Sequence, residues 1–235
     1  SKVDMDFFEV IKKRRSIRRY KETPVPEAVI ERALEMAVLA PNSSNTQTWD
    51  FYWVRTQEKK AALVKACFSQ SAARTAAELV VVVASPTQWR RSQPYLIEWV
   101  RSVRAPKSVI LYYEKLIPAM SRWGFLNSIG YVKWIGFTVA GLFRPVPRGP
   151  HTRRDIQEVS IKSAALAAEN FVLAITAQGY ATCMMEGFDE WRVKRLLGLG
   201  WSDRVVMVIA VGEEADRGTW GPQYRIPIEK VVHRV

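Results

Sequence analysis

Soft metal ligands are scarce in this chain: its 235 residues include two cysteines, Cys67 and Cys183, and two histidines, His151 and His233. So few scattered groups cannot build a structural zinc or iron–sulfur site, and no metal centre is expected. A disulfide framework is equally excluded, and the count suits a reducing, cytoplasmic setting. Phosphate-loop signatures are also missing. There is no Walker sequence, and Gly198-Leu-Gly200 lacks a third glycine and follows a helical pattern rather than a strand, so a Rossmann dinucleotide site is unsupported. No serine sits in a nucleophile-elbow context, which leaves hydrolase chemistry without a nucleophile. The N-terminus lacks the apolar run and cleavage site of a signal peptide, and Ser1 reads as a remnant of processing.

A clean transmembrane run is absent too. Trp123 to Phe143 spans twenty-one residues, but Lys133 sits near its middle. Each Leu, Ile, Phe or Val there favours insertion by roughly 0.3–0.6 kcal/mol, whereas a central Lys opposes it by about 2.5–3.5 kcal/mol, and the sum is near zero or unfavourable. The expectation is a buried or amphipathic lid. If this segment meets a membrane, it lies flat on the surface, because Trp123, Tyr131, Trp134, Arg122 and Arg144 are interfacial residue types.

What the chain has in excess is positive charge: 35 Lys and Arg against 23 acidic residues, a net +12. Such a surface attracts nucleic acid, an anionic membrane or a phosphorylated small molecule. At 48% hydrophobic residues the chain can bury a substantial core, which excludes a disordered tail protein.

The pattern of elements predicts an α+β fold rather than a repeating βαβ array. Asp4 or Asp6 can cap a first helix holding Phe7, Phe8, Val10 and Ile11. A second helix begins after Pro26 and buries Val29, Ile30, Ala33, Leu34, Ala37 and Val38, with Pro41 as its stop. Trp49 to Val54 alternates like a strand, Glu58 to Phe68 reads as a helix, and Leu79 to Ala84 as a buried strand. Ser160 to Gln178 is Ala-rich and apolar on most faces, a central helix buried all round and closed by Gly179. A strand at Ala181 to Met185, a helix at Glu190 to Leu197 and a strand at Val205 to Val211 follow. Pro86 to Pro150, dense in Trp, Tyr, Arg and Pro, reads as an insertion on a single domain spanning 1–235.

Four segments carry candidate chemistry. Seven cations fall within Lys12 to Lys21, with Ser16 among them. Arginine forks and a serine hydroxyl suit a phosphate, although charge alone leaves a solvated face or a nucleic-acid patch open. Pro41-Asn-Ser-Ser-Asn-Thr-Gln-Thr-Trp49 packs uncharged hydrogen-bonding side chains before a strand, fit for a polar ring cofactor or for an ordinary turn. In Cys183-Met-Met-Glu-Gly-Phe-Asp189, Met184 and Met185 beside Gly187 can line a flat cofactor or simply pack a core. Gln223-Tyr-Arg225-Ile-Pro227 adds a late cation in a Pro-bounded loop. Cys67 and Cys183 read as buried small side chains rather than nucleophiles.

In this order, these segments resemble the nitroreductase family of FMN oxidoreductases. Arg14-Arg-Ser-Ile-Arg18 is similar to the family's phosphate-binding motif, the Pro41–Trp49 segment to its flavin loop, Met184-Met-Glu-Gly-Phe188 to its isoalloxazine motif, and Arg225 falls at the late basic position. The likeness covers Asp6 to about Ala84 and Asp155 to Pro227, and leaves 86–150 without a counterpart. It implies a mostly antiparallel central sheet flanked by helices, with the long buried helix at its centre, in a homodimer whose interface holds the flavin. It also implies roles: Arg14, Ser16 and Arg18 at the FMN phosphate and ribityl chain, with Arg15 near the phosphate or ring carbonyls. Asn42, Ser43 and Asn45 would reach the flavin partly from the partner subunit, Gln70 the pyrimidine edge, and the main chain of Glu186 and Gly187 would face N5. Gln223 stands where some members have Lys, so that Ala73 or Arg74 must cover a second basic position.

Chemistry would be carried by FMN, taking hydride from NADH or NADPH and passing it to an electron-poor acceptor such as a nitroaromatic or quinone, with no catalytic side chain. The 86–150 segment, with Trp89, Trp99, Trp123 and Trp134, would form a lid that selects small aromatic acceptors. Contact of 123–143 with a membrane surface, toward a lipid-soluble quinone, is a competing use of the same region. A flavin carrier or regulator with little turnover is the alternative function. A basic nucleic-acid-binding module is a further one, but no nucleic-acid motif supports it and no nucleic acid is expected as a partner.

Overall fold

The computed structural model describes residues 5–235, so Ser1 and the alternative cap Asp4 lie outside the described residues. Asp6 does cap the first helix, α1 (Phe7–Lys13), its carboxylate accepting from the amides of Phe8 at 2.8 Å and Glu9 at 3.1 Å. Then come α2 (Glu27–Ala37), β1 (Trp49–Val54), α3 (Gln57–Ala66), α4 (Ser71–Thr75) and β2 (Glu78–Ala84). The 86–150 region is helical: α5 (Trp89–Ser102), α6 (Lys107–Leu111), a π-helical turn at Tyr112–Leu116, α7 (Ile117–Ser121) and α8 (Ser128–Ala140). The chain closes with α9 (Arg153–Ala177), β3 (Ala181–Met185), α10 (Glu190–Leu197) and β4 (Arg204–Gly212).

The four strands form one sheet in the order β1-β2-β4-β3, every neighbouring pair antiparallel. Val81 stands opposite Val208 and Cys183 opposite Ala210, and one irregularity interrupts β2 against β4 between Val82 and Val83. Both faces are covered. Val80, Val82, Ile209 and Val211 meet α2 and α9 on one side, while Val81, Val83, Val208 and Ala210 meet Leu63 of α3 and Val193 of α10 on the other. A strand buried on both faces needs apolar side chains at every position, which is why Leu79 to Ala84 shows no alternation.

The long helix begins at Arg153, seven residues before the sequence-based boundary at Ser160. Its start is a capping box: the Thr152 hydroxyl accepts from the Asp155 amide, and the Asp155 carboxylate accepts from the Thr152 amide at 2.9 Å. The polar first turns hid it from an apolar-periodicity reading. Ala164, Ala167, Ala168, Phe171, Val172 and Ile175 are fully buried, but Leu166 is 49% exposed and flanked by exposed Lys162 and Glu169. The helix is therefore not buried all round; one stripe stays open. It is also the one helix among the described residues long and apolar enough to cross a membrane, yet it packs on α2 and the sheet as a core element.

Of the two expectations for segment 123–143, a buried or an amphipathic lid, the fully buried one does not hold. Its helix α8 is held to the start of α9 by Gly130, where a Cβ would stand 2.6 Å from the His151 carbonyl oxygen, so only glycine permits the approach. The Phe137 ring stacks on His151 with centroids 5.3 Å apart, and the Arg153 amide donates to Asn127 Oδ1 at 2.8 Å. The opposite side of α8 is uncovered, with Val132 71% exposed and Phe143 just beyond it 84% exposed.

Candidate functional site

The basic segment after α1 runs as an extended strap beside β3. Ser16 bridges Thr182 in parallel, the Ile17 amide donates to the Thr182 carbonyl at 2.8 Å, and the Arg18 amide donates to Gly218 at 2.8 Å. Side chains alternate along such a strap. Ile17 and Tyr20 enter the core, and Tyr20 donates its hydroxyl proton to the buried Ala210 carbonyl at 3.2 Å. Burial raises the Tyr20 phenol far above its ordinary pKa, with Cys183 and Glu214 adding to the effect, so it stays a neutral anchor.

Arg14, Arg15, Ser16 and Arg18 line a cleft of about 330 Å³ whose other wall is the C-terminal loop Thr219 to Arg225. Arg15 ties the walls together by donating to the Gly221 carbonyl at 2.6 Å, and the Arg18 guanidinium lies 5.5 Å from the Trp220 ring centroid. Gln223 and Arg225 also face the cleft. Among the described residues, none of Arg14, Arg15, Arg18 and Arg225 pairs with a carboxylate. Four unneutralised guanidinium groups around one concavity form an anion site of high local potential. The remaining cations of the run diverge: Lys21 bonds Glu213 at 2.6 Å, and Arg19 faces a separate cleft with Arg74. Ala73 is buried, so neither Ala73 nor Arg74 supplies the second basic position in the cleft.

Past the end of β3 the chain turns at Glu186 and Gly187, both exposed. Gln70 meets it there, donating from Nε2 to the Gly187 carbonyl at 2.8 Å and to Cys67 at 3.1 Å. Asp189 then caps α10 by accepting from the Arg192 amide at 3.1 Å, while its own amide donates to Ala66 at 2.8 Å. The two methionines of β3 take opposite faces of the sheet. Met185 is 3% exposed in the core on the α3 and α10 side of the sheet, and Met184 packs on the opposite side against the α2 and α9 core. Strand alternation sends them to opposite faces, so what β3 offers at its end is backbone.

The loop Asn42 to Gln47 stands away from this cleft. Ser44, Asn45 and Gln47 all adopt left-handed backbone conformations (φ 54°, 52° and 47°), strained for non-glycine residues and held by cross-bonds. Asn42 Oδ1 accepts from the Gln47 amide at 2.8 Å, and Arg91 of α5 donates to the carbonyls of Gln47 at 3.0 Å and Trp49 at 3.1 Å. Ser44 hydrogen-bonds the Tyr112 hydroxyl, linking the loop to the 86–150 region, where a second cavity of about 440 Å³ opens between them. Within one protomer, then, Asn42, Ser43 and Asn45 do not join Arg14 and Arg225.

Neither cysteine is set up as a nucleophile: burial pushes the Cys67 thiol up to about 11 and raises Cys183 despite the opposing field of Arg18. His151, 3% exposed under Phe137, has its pKa lowered by burial and by Lys133, against the pull of Asp155, and lies at the start of α9. The residues missed from sequence are Thr219, Trp220, Gly221 and Tyr112. The first three lie in an aperiodic stretch whose only signal is the Gly221-Pro222 pair, and Tyr112 carries none.

Comparison with known proteins adds a family. The profile described as the nitroreductase family matches residues 11–213. A Streptococcus pyogenes protein with the provisional name NAD(P)H nitroreductase Spy0809 is 28% identical over 232 residues, covering 98% of this chain and 100% of its own length. An NADH dehydrogenase of Thermus thermophilus is 28% identical over 223 residues, 94% of this chain and 91% of its own. Among solved structures, one from Exiguobacterium sibiricum in complex with FMN superposes with a TM-score of 0.73 at 23% identity, covering 98% of each chain.

Proposed function

The chain belongs to the nitroreductase family and is an oxidoreductase, and from that premise we propose that its basic cleft grips the phosphate of FMN at the interface of a homodimer. The observation that carries this reading is the convergence of Arg14, Arg15, Ser16, Arg18 and Arg225, from opposite ends of the chain, on one cleft without a carboxylate partner. Three guanidinium forks and a hydroxyl on one strap match the oxygens of a phosphate monoester, and the FMN complex of the Exiguobacterium relative supports that choice of ligand. Arg14, Ser16 and Arg18 take the phosphate and ribityl end, with Arg15 alongside. Gln70 reaches the pyrimidine edge, held in place by Gly187, and the exposed backbone of Glu186 and Gly187 approaches N5. Gln223 contributes a neutral contact beside Arg225.

FMN bound there supplies hydride acceptance from NADH or NADPH at N5 and delivery to an electron-poor acceptor, a nitroaromatic or a quinone. The protein's part is to fix the ring, present amide donors to it and exclude water. No side chain acts as acid or base in this scheme, in keeping with the raised thiols and the remote His151.

The homodimer is supported by the stranding of Asn42, Ser43 and Asn45 outside the cleft, since a second copy can bring its own loop to the first copy's ring. Exposed Phe7 and Phe8 of α1, Leu39 after α2 and Leu166 on the open stripe of α9 belong to elements that pack on α9 beside that loop, and offer apolar side chains to such a partner. The 86–150 helices, tied to the loop through Ser44 and Tyr112, then serve as the lid that selects small aromatic acceptors.

The test is the absorption spectrum of the purified protein. A band at about 450 nm is expected, as for other proteins whose cofactor carries the chemistry. Bleaching of that band by NADH or NADPH, and its return on adding a quinone, identifies the enzyme. A flavin that binds but is not bleached would instead make the chain a carrier.

A further inference from the structure

From Lys115 to Arg154 the sequence holds no Asp or Glu, but it holds seven cations: Lys115, Arg122, Lys133, Arg144, Arg148, Arg153 and Arg154. Inside this stretch α8 carries a single charge, Lys133, and the fold turns that charge inward. Its ammonium donates to the carbonyls of Met120 at 2.9 Å and Arg122 at 2.7 Å, closing the end of α7. With Lys133, Gly130 and Phe137 committed to the protein side, the outer face is left wholly uncharged. Ile129, Val132, Ile135 and Val139 are each exposed, continued by Phe125 and Leu126 before the helix and by Leu142 and Phe143 after it. Arg122 and Arg144 stand at the two ends, exposed and without carboxylate partners among the described residues.

We propose that this face of α8 docks on an anionic lipid bilayer, the helix lying in the plane of the surface with its apolar row among the acyl chains and the flanking arginines on lipid phosphates. Thirteen residues give a helix of about 20 Å, too short to cross a hydrocarbon core of roughly 30 Å but suited to embedding by about 5–10 Å. Tyr131 and Trp134, each half exposed, flank the apolar row as residues that favour the headgroup level. Charge decides between lipid and a second copy. A copy of this chain meeting it face to face would bring the same acid-free segment against itself, with Arg122 and Arg144 left unneutralised, whereas an anionic surface pairs them. The inference stands whether or not the cleft binds FMN.

The experiment is co-sedimentation of the full chain with vesicles of phosphatidylcholine and phosphatidylglycerol at roughly two to one, against pure phosphatidylcholine, at low and high salt. Binding to the anionic vesicles is expected, weakened about tenfold or more on neutral ones and at high salt. Val132→Glu with Ile135→Glu, both on the exposed face, should lower binding by at least about tenfold with an unchanged melting curve. Arg122→Gln with Arg144→Gln should lower binding to anionic vesicles only. The proposal is overturned if the wild-type chain stays in the supernatant with anionic vesicles, or if the Glu variants bind as tightly as wild type. It is equally overturned if the Glu variants dissociate a stable oligomer in vesicle-free buffer, since a second copy would then be what covers α8.

Discussion

Replacing Arg14 and Ser16 together by alanine separates the anion grip from the fold. The Arg14 side chain has no hydrogen-bond or ion-pair partner among the described residues, and the bonds that hold the strap here are backbone ones, Arg14 amide to Val10 and Ile17 amide to Thr182, which alanine keeps. Loss of stability should therefore stay within the ~0.5 kcal/mol typical of surface changes. On the ligand side, the variant removes one guanidinium and one hydroxyl from a phosphate. Charge-assisted hydrogen bonds contribute about 1.5–3 kcal/mol each, and because Arg14 is half-exposed and Ser16 exposed the lower end applies, about 3 kcal/mol in all or roughly 150-fold in Kd. Titration of FMN into flavin-stripped protein, followed by quenching of flavin fluorescence, measures the change directly, and a thermal melt in parallel checks the fold. A weakening of less than about threefold, with the melt unchanged, would refute the phosphate assignment. Arg15→Ala is the contrasting control: it also releases the Gly221 carbonyl and should loosen the C-terminal wall, lowering flavin affinity and the melting temperature together.

Three other perturbations probe the scaffold. Gly212→Ala would place a Cβ 2.8 Å from the Tyr20 ring and should destabilise by about 1–3 kcal/mol, read as a drop in melting temperature; an unchanged melt would show the strap to be movable. The His151 pKa is lowered by burial in the folded chain, so the unfolded state binds the proton more readily. Stability should be complete above the ordinary histidine range and fall as pH drops below about 6.5, a decline that His151→Phe should flatten in denaturant melts across that window. Gln70→Ala removes the hydrogen bond to the Gly187 carbonyl and the proposed contact to the flavin's pyrimidine edge, and should weaken FMN binding by about 1 kcal/mol, roughly fivefold in Kd by fluorescence titration; an unchanged Kd would remove Gln70 from the ring contacts.

Much of this architecture was legible because local chemistry and tertiary role agree. Asp6 and Asp189 cap where their positions before apolar runs suggest, Gly179 (φ 80°) ends the long helix, and the valines of β2 are buried on both faces. The N-terminal half of the cleft was legible for the same reason, since seven cations in one short run are conspicuous in composition. Its other half was not: Thr219 to Pro222 has no periodicity, and the bond from Arg15 to Gly221 joins residues 206 positions apart. Met184 and Met185 were ambiguous because a methionine in a core and one beside a ligand look alike until strand alternation is fixed. Segment 123–143 misled differently. Composition shows that residues are apolar but not which side the fold covers, and Gly130 and Lys133 place the apolar row outward.

The Arg15–Gly221 tie also sets when, during synthesis, the chain can acquire its anion grip. Both faces of the sheet can pack once β4 has emerged at Arg204–Gly212, so a well-formed interior precedes the second wall of the cleft. Only when residues 218–225 have been added can the strap be closed against its distant partner, a long-range contact made after the interior has removed most of the loop entropy. A nascent or C-terminally nicked chain would thus keep both packed faces of its sheet but lack the second wall of the cleft. With the cofactor seated as proposed, its loading would report on whether the C-terminal wall is in place.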